Sequence, residues 1–276
     1  MLSQPADKWA ILRRLRSLSD RGWTQSLPVG VFIIHHPEGI FLFDTGQSPC
    51  CNDAGHAPWA SFLSNFLAEF TISEEDSIVK LLAKQGIKPS DFKAIVLSHL
   101  HDDHAGGLED LVSEAPDVPI YVSQEHWKAF GENPLLASFQ GASPNHWPKD
   151  FSPRIINFED KAIGPWKQSY SLTADGGIVV VDTSGHVPGH ISIIIKGQTA
   201  EHKPATYFLP GDATYGITPL SKEEPDGIND DPLRALQSLK LIKEYARQTD
   251  VVILPSHDPD TPRLLAESVV FREARP

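Results

Sequence analysis

Short apolar runs, rich in β-branched and aromatic residues and closed by polar or glycine-containing turns, recur along this chain. Residues 31–35 and 40–44 flank Pro37-Glu38-Gly39, a spacing that predicts a β-hairpin. Residues 94–98, 120–123, 178–182, 191–195, 207–209 and 251–254 predict six further strands. Helical patterns lie between some of them. Ser73-Glu74-Glu75-Asp76 offers an acidic first turn to the run SIVKLLAKQG, with Gly86 as its stop. Asp231 and Pro232 read as an N-cap and N1 pair opening a helix through Gln248, with Leu233, Leu236, Leu239 and Ile242 down one side. Strands and helices interleave over the whole length, which predicts one layered α/β (α+β) domain over residues 1–276.

Residues 124–175 break this rhythm. Trp127, Phe130, Phe139, Trp147, Phe151, Phe158 and Trp166 lie there among prolines and glycines. Two readings stand: a peripheral helix and loop over the core, or a segment that covers a pocket.

Composition narrows the function classes. The formal net charge of -12 removes the basic footprint that a nucleic-acid partner requires, and it disfavours an anionic membrane surface. No run approaches the length of a membrane span. The first 18 residues carry charges through their apolar positions and read as an amphipathic helix rather than a signal peptide. Cys50 and Cys51 are adjacent and cannot staple distant segments, so they read as free thiols in a reducing, cytoplasmic setting. The oligomeric state is open, a homodimer included.

The candidate chemistry sits just past the predicted strand ends. Residues 94–98 lead into His99, His101, Asp103 and His104. Residues 178–182 lead into His186, residues 207–209 into Asp212, and residues 251–254 into His257. His99 and His101 are two apart and point to one side of an extended segment. Asp103 and His104 follow where the chain turns into a helix, and Ala105-Gly106-Gly107 permits close backbone approach to a metal. Imidazoles and carboxylates without cysteine suit borderline divalent ions, and they fit a closed structural zinc site poorly. His190, which opens the next strand, reads as structural.

On HxHxDH, the later His, Asp and His, and the turn Asp44-Thr45-Gly46, the chain resembles the metallo-β-lactamase superfamily from Asp44 to His257. The resemblance implies an αββα sandwich holding two divalent metal ions, zinc first, with Mn, Fe or Co as alternatives. His99, His101 and His186 would hold one ion, Asp103, His104 and His257 the other, and Asp212 would bridge them. Asp44 would support the metal loops without being a ligand.

Within the superfamily, Asp at 212 is unlike true β-lactam hydrolases. The text Asp212-Ala213-Thr214-Tyr215 looks like the lactonase branch, in which the tyrosine faces the substrate carbonyl. His101 stands where flavodiiron oxidoreductases carry Glu. The implied activity is opening of a small cyclic ester, of N-acyl-homoserine-lactone type, by a bridging hydroxide that attacks the ring carbonyl, with Tyr215 on the oxyanion and Asp103 as proton carrier. A γ-lactamase opening cyclic amides or carbamates such as benzoxazolinones is the rival, and a glyoxalase II-like thioesterase a further one. Asp102 departs from the lactonase pattern, which commonly has an apolar residue there.

Overall fold

The computed structural model describes residues 25–58 and 69–273; the amphipathic helix expected over the first 18 residues lies outside them. The described residues form two compact units, Val29–Ile156 and Asn157–Pro276 with the segment up to Pro28.

The first unit is a five-stranded mixed sheet in the order β1-β2-β3-β4-β5. β1 (Phe32–His36) and β2 (Gly39–Phe43) form the expected hairpin, pairing antiparallel from Phe32 with Phe43 to His36 with Gly39. β3 (Phe92–Val96), β4 (Ile120–Ser123) and β5 (Arg154–Ile156) then add in parallel. Parallel neighbours need crossovers, and helices supply them. α1 (Ile78–Lys84) lies between β2 and β3; α2 (Asp102–Ala105) and α3 (Leu108–Glu114) lie between β3 and β4. Between β4 and β5 run α4 (Gln124–His126), which continues as a π-helical turn at Trp127–Gly131, and α5 (Pro134–Phe139). Leu42, Phe43, Val96 and Leu97 are fully enclosed in this unit.

The second unit is a mixed sheet in the order β10-β9-β8-β7-β6. β6 (Tyr170–Ser171), β7 (Ile178–Asp182), β8 (Ile191–Gln198) and β9 (Pro204–Leu209) pair antiparallel in succession, and β10 (Val251–Ile253) joins β9 in parallel. α6 (Ile217–Lys222), α7 (Pro232–Gln248) and α8 (Thr261–Ala266) complete it. Its core gathers Trp166, Val181, Ile194, Phe208, Leu239, Ile242, Tyr245 and Ile253. Two mixed sheets flanked by helices give the α/β (α+β) class expected.

Helix α7 opens as the sequence predicts: the Asp231 carboxylate accepts from the N–H groups of Leu233 and Arg234, both at 3.0 Å, with Pro232 at N1. Its buried stripe, however, differs. Leu239 and Ile242 are enclosed as expected, but Leu233 is 59% exposed, and Pro232, Ala235, Ser238, Lys243, Tyr245 and Ala246 complete the enclosed face. The cause is a close approach. A Cβ added at Gly185 would collide with the Ala235 nitrogen, and Ser238 Oγ donates to Ser184 O at 2.7 Å. Only small side chains fit that face of the first turns, so leucine turns outward.

The aromatic region 124–175 divides in two. Trp127, Trp147 and Phe151 pack on one another in the first unit. Trp166 stacks on Phe208 in the second, with Nε1–H donating to Asp182 O at 2.8 Å. Strands β5 and β6 within this stretch are additions to the expected set.

Candidate functional site

Each unit carries its own set of metal-competent donors. In the first, they sit beyond the carboxyl end of β3, the side on which open α/β sheets place their ligands. His99 to His101 run extended before α2 begins at Asp102. His99 Nε2 lies 2.9 Å from His101 Nδ1. Nitrogens bound at 2.0–2.1 Å to one tetrahedral ion stand about 3.3 Å apart, so the pair converges on one point but sits about 0.4 Å closer than co-ligands would. Asp103 and His104 occupy the first turn of α2, with Asp103 Oδ1 3.9 Å from His104 Nε2.

Asp44-Thr45-Gly46 holds this loop from behind. Asp44 is enclosed, with φ at +62°. Its Oδ1 accepts from Ser98 N–H at 2.7 Å; its Oδ2 accepts from the Ser98 hydroxyl at 2.9 Å and from His104 Nδ1–H at 2.8 Å. With Nδ1 donating, His104 keeps its Nε2 lone pair for a cation, the carboxylate–histidine arrangement that orients metal ligands. Burial pushes the Asp44 carboxyl up from its ordinary range, against the pull of His104 and the Ser98 donors. Thr45 donates through both N–H and hydroxyl to the His104 carbonyl, at 2.7 and 3.0 Å. Gly106 and Gly107 serve this clamp. A Cβ at Gly106 would lie 2.5 Å from Ser48 N, and one at Gly107 2.6 Å from Thr45 O, so the close approach they permit is to the supporting turn.

Asp102 is half-buried. Its carboxylate accepts from Ser143 Oγ at 2.6 Å and its N–H donates to Gly141 O at 3.2 Å. Burial raises its pKa to about 6, against the Ser143 hydrogen bond.

In the second unit, β7, β9 and β10 deliver His186, Asp212 and His257 from the turns that follow them. The Asp212 carboxylate stands between two imidazoles: Oδ1 is 3.0 Å from His257 Nε2, and Oδ2 is 3.5 Å from His186 Nε2. His257 Nδ1–H donates to Pro28 O at 2.7 Å, which turns its Nε2 lone pair toward Asp212. A lone pair and a carboxylate oxygen at that distance need a proton or a cation between them. Tyr215 stacks on the His257 ring at 4.8 Å and 16°, with its centroid 6.2 Å from that of His186. The donor chemistry of both units fits a borderline divalent ion: imidazole and carboxylate groups, largely buried, with outer nitrogens of His104 and His257 already engaged.

His126 escapes motif reasoning, and His190, expected to be structural, has a specific main-chain partner. His126 Nε2 accepts the Leu100 N–H at 2.9 Å, fixing the main chain between His99 and His101. His190 Nε2 accepts the Asp212 N–H at 3.0 Å. A lone histidine that grips a main-chain amide leaves no spacing pattern to read.

Two mixed sheets whose strand ends present histidine and aspartate suit the class of metal-dependent hydrolases. The model of the metallo-β-lactamase superfamily matches residues 27–257, and the chain belongs to that superfamily. It is 29% identical over 234 residues to an N-acyl homoserine lactonase of a Bacillus species, covering 84% of this chain and 82% of the relative. It is 25% identical over 242 residues to the N-acyl homoserine lactonase AttM of Rhizobium radiobacter, covering 87% and 85%. Among solved structures, an N-acyl homoserine lactone hydrolase with N-hexanoyl-L-homoserine bound at its catalytic metal centre matches at TM-score 0.61 and 26% identity, covering 88% of this chain and 86% of that one. A dizinc quorum-quenching lactonase shares the fold at TM-score 0.54 and 17% identity, covering 84% and 72%. These relatives are hydrolases. Among the described residues, no helix is long and apolar enough to cross a membrane.

Proposed function

We propose that this protein is a dinuclear metal-dependent hydrolase that opens small cyclic esters, with N-acyl-homoserine lactones as its substrate class. The observation that carries the reading is the Asp212 carboxylate set between His186 and His257, with Tyr215 stacked on the latter. Superfamily membership and the activity named for the lactonase relatives support it. On this reading residues 1–276 act as one domain. His99, His101 and His186 would hold one ion, Asp103, His104 and His257 the other, and Asp212 would be shared between them. Zinc is the first choice, and the same donors accept Mn, Fe or Co.

When bound, the ions supply an activated water near neutral pH and polarise the ring carbonyl. The Tyr215 hydroxyl donates a hydrogen bond to the carbonyl oxygen as negative charge gathers there. As the ring C–O bond breaks, Asp103 passes the proton given up by the attacking water to the departing ring oxygen. Asp44 and Thr45 hold the first donor loop in register, so little reorganisation accompanies the reaction.

The second reading is a γ-lactamase that opens cyclic amides or carbamates. Asp102 favours it: a half-buried carboxyl with its pKa raised to about 6 makes the loop beside the ligands polar, where a long acyl chain calls for apolar contact. The deciding experiment is a pH-indicator hydrolysis panel on the metal-loaded protein. It spans acyl-homoserine lactones of several chain lengths, simple γ-lactones, benzoxazolinone-type carbamates and S-lactoylglutathione. Preferred turnover of acyl-homoserine lactones is expected; carbamate turnover without lactone turnover transfers the assignment to the second reading. Thioester turnover alone refutes both.

A further inference from the structure

In the second unit, one run of hydrogen bonds ties Asp212 to the main chain that carries it, and its two ends, a carbonyl that can only accept and an N–H that can only donate, set the direction of every bond between. Ser192 Oγ donates to the carbonyl of Pro210 at 3.0 Å, so its oxygen is left to accept from Thr183 Oγ1 at 2.6 Å. Thr183, having given its proton to Ser192, accepts from His190 Nδ1–H at 2.9 Å. His190 Nε2 is therefore unprotonated, and it accepts the Asp212 N–H at 3.0 Å. Thr183, His190, Ser192 and Asp212 are all enclosed, with His190 at 0% exposure, so water does not substitute for any link. The run starts at Asp212 and ends two residues before it, at Pro210. Gly211 between them has φ +53°, a left-handed conformation that only this closure and a glycine make cheap. Gly189, next to His190, is left-handed as well, at φ +68°.

We infer that His190 is a positioning residue for the metal-bridging carboxylate: it fixes the turn that carries Asp212 through a neutral imidazole of one tautomer. The inference rests on the proposed role of Asp212. The opposite tautomer would set an N–H against the Asp212 N–H. The turn would then have to open, and the carboxylate would lose its place between His186 and His257.

Two amides separate the two ends of the ring. A glutamine side chain presents an oxygen as many bonds from Cβ as the imidazole Nε2, so His190→Gln keeps the acceptor for Asp212. His190→Asn keeps only the donor toward Thr183. Zinc affinity is measured by chelator competition on the full chain, and zinc content by elemental analysis after gel filtration. Supporting groups of this kind are worth about 10–100-fold in metal affinity. His190→Asn is expected to weaken the more labile zinc by that factor, whereas His190→Gln stays within about threefold of the parent. Equal affinities for the parent and His190→Asn overturn the inference, and so does an equal loss in both variants. Should His190→Asn not fold, Thr183→Val breaks the same run with the imidazole left in place. It should weaken zinc binding and Thr183→Ser should restore it; no change in Thr183→Val overturns the inference too. A parent protein that binds no zinc refutes the proposed function instead.

Discussion

Asp44→Asn separates support of the metal loop from mere stability. Three donors converge on the Asp44 carboxylate: Ser98 N–H, Ser98 Oγ and His104 Nδ1–H, at 2.7, 2.9 and 2.8 Å. Asparagine keeps one carbonyl oxygen for the Ser98 N–H. Its amide nitrogen then faces the Ser98 hydroxyl, which rotates to accept, and His104 Nδ1, which cannot accept while protonated. Losing that one charge-assisted bond costs about 1.5–3 kcal/mol. The substitution also removes a fully enclosed carboxylate, and burial is the largest influence on that group. The two effects oppose each other, so the metal-free protein should lose no more than about 2 kcal/mol. The larger effect falls on metal. His104 relieves the clash by moving its proton to Nε2, the nitrogen that the ion needs, and zinc must then displace it.

A drop of about 10–100-fold in zinc affinity follows, equivalent to about 1.4–2.8 kcal/mol. Urea denaturation of the metal-free protein measures the first quantity, and chelator competition the second. Unchanged affinity together with a stability loss above about 4 kcal/mol would refute the tautomer argument and leave Asp44 a folding residue.

What the sequence discloses depends on how local the cause is. β4 and β7 fall where β-branched runs place them: β7 is enclosed over four consecutive residues, and β4 at Ile120, Val122 and Ser123. β9 starts three residues earlier than its aromatic and apolar core suggests, since the pairing of Pro204 to Thr206 is dictated by β8 rather than by their own propensity. β5 is only three residues long and is recruited by parallel pairing to β4, a non-local cause. Leu233 illustrates the same point within a helix: its period is right, but Gly185 decides which face lies inward. The metal-competent residues are legible because HxHxDH compresses several ligands into one loop. The partners of His126 and His190 are illegible because each is a main-chain N–H 26 or 22 residues away.

Two further predictions test separate levels of structure. Asp231→Ala removes the acceptor for the Leu233 and Arg234 N–H groups and should cost about 1 kcal/mol in urea denaturation, with Asp231→Asn close to the parent; a cost below about 0.3 kcal/mol would show that Pro232 and packing define the helix start. Tyr215→Phe tests the chemistry. Phenylalanine retains the ring stacked on His257 at 4.8 Å, so the contact that orients this imidazole survives. Only the hydroxyl is lost. A single preorganised oxyanion donor is worth about 10²–10³ in kcat where it acts alone. Here cations share the developing charge, so a fall of about 10–100-fold in kcat is expected, with zinc content unchanged. Steady-state kinetics on the best lactone of the panel, paired with elemental analysis, reads both. An unchanged kcat assigns Tyr215 to packing. A fall in zinc content shows that the hydroxyl, and not the ring, holds His257 in place, because the ring is the one feature the substitution preserves.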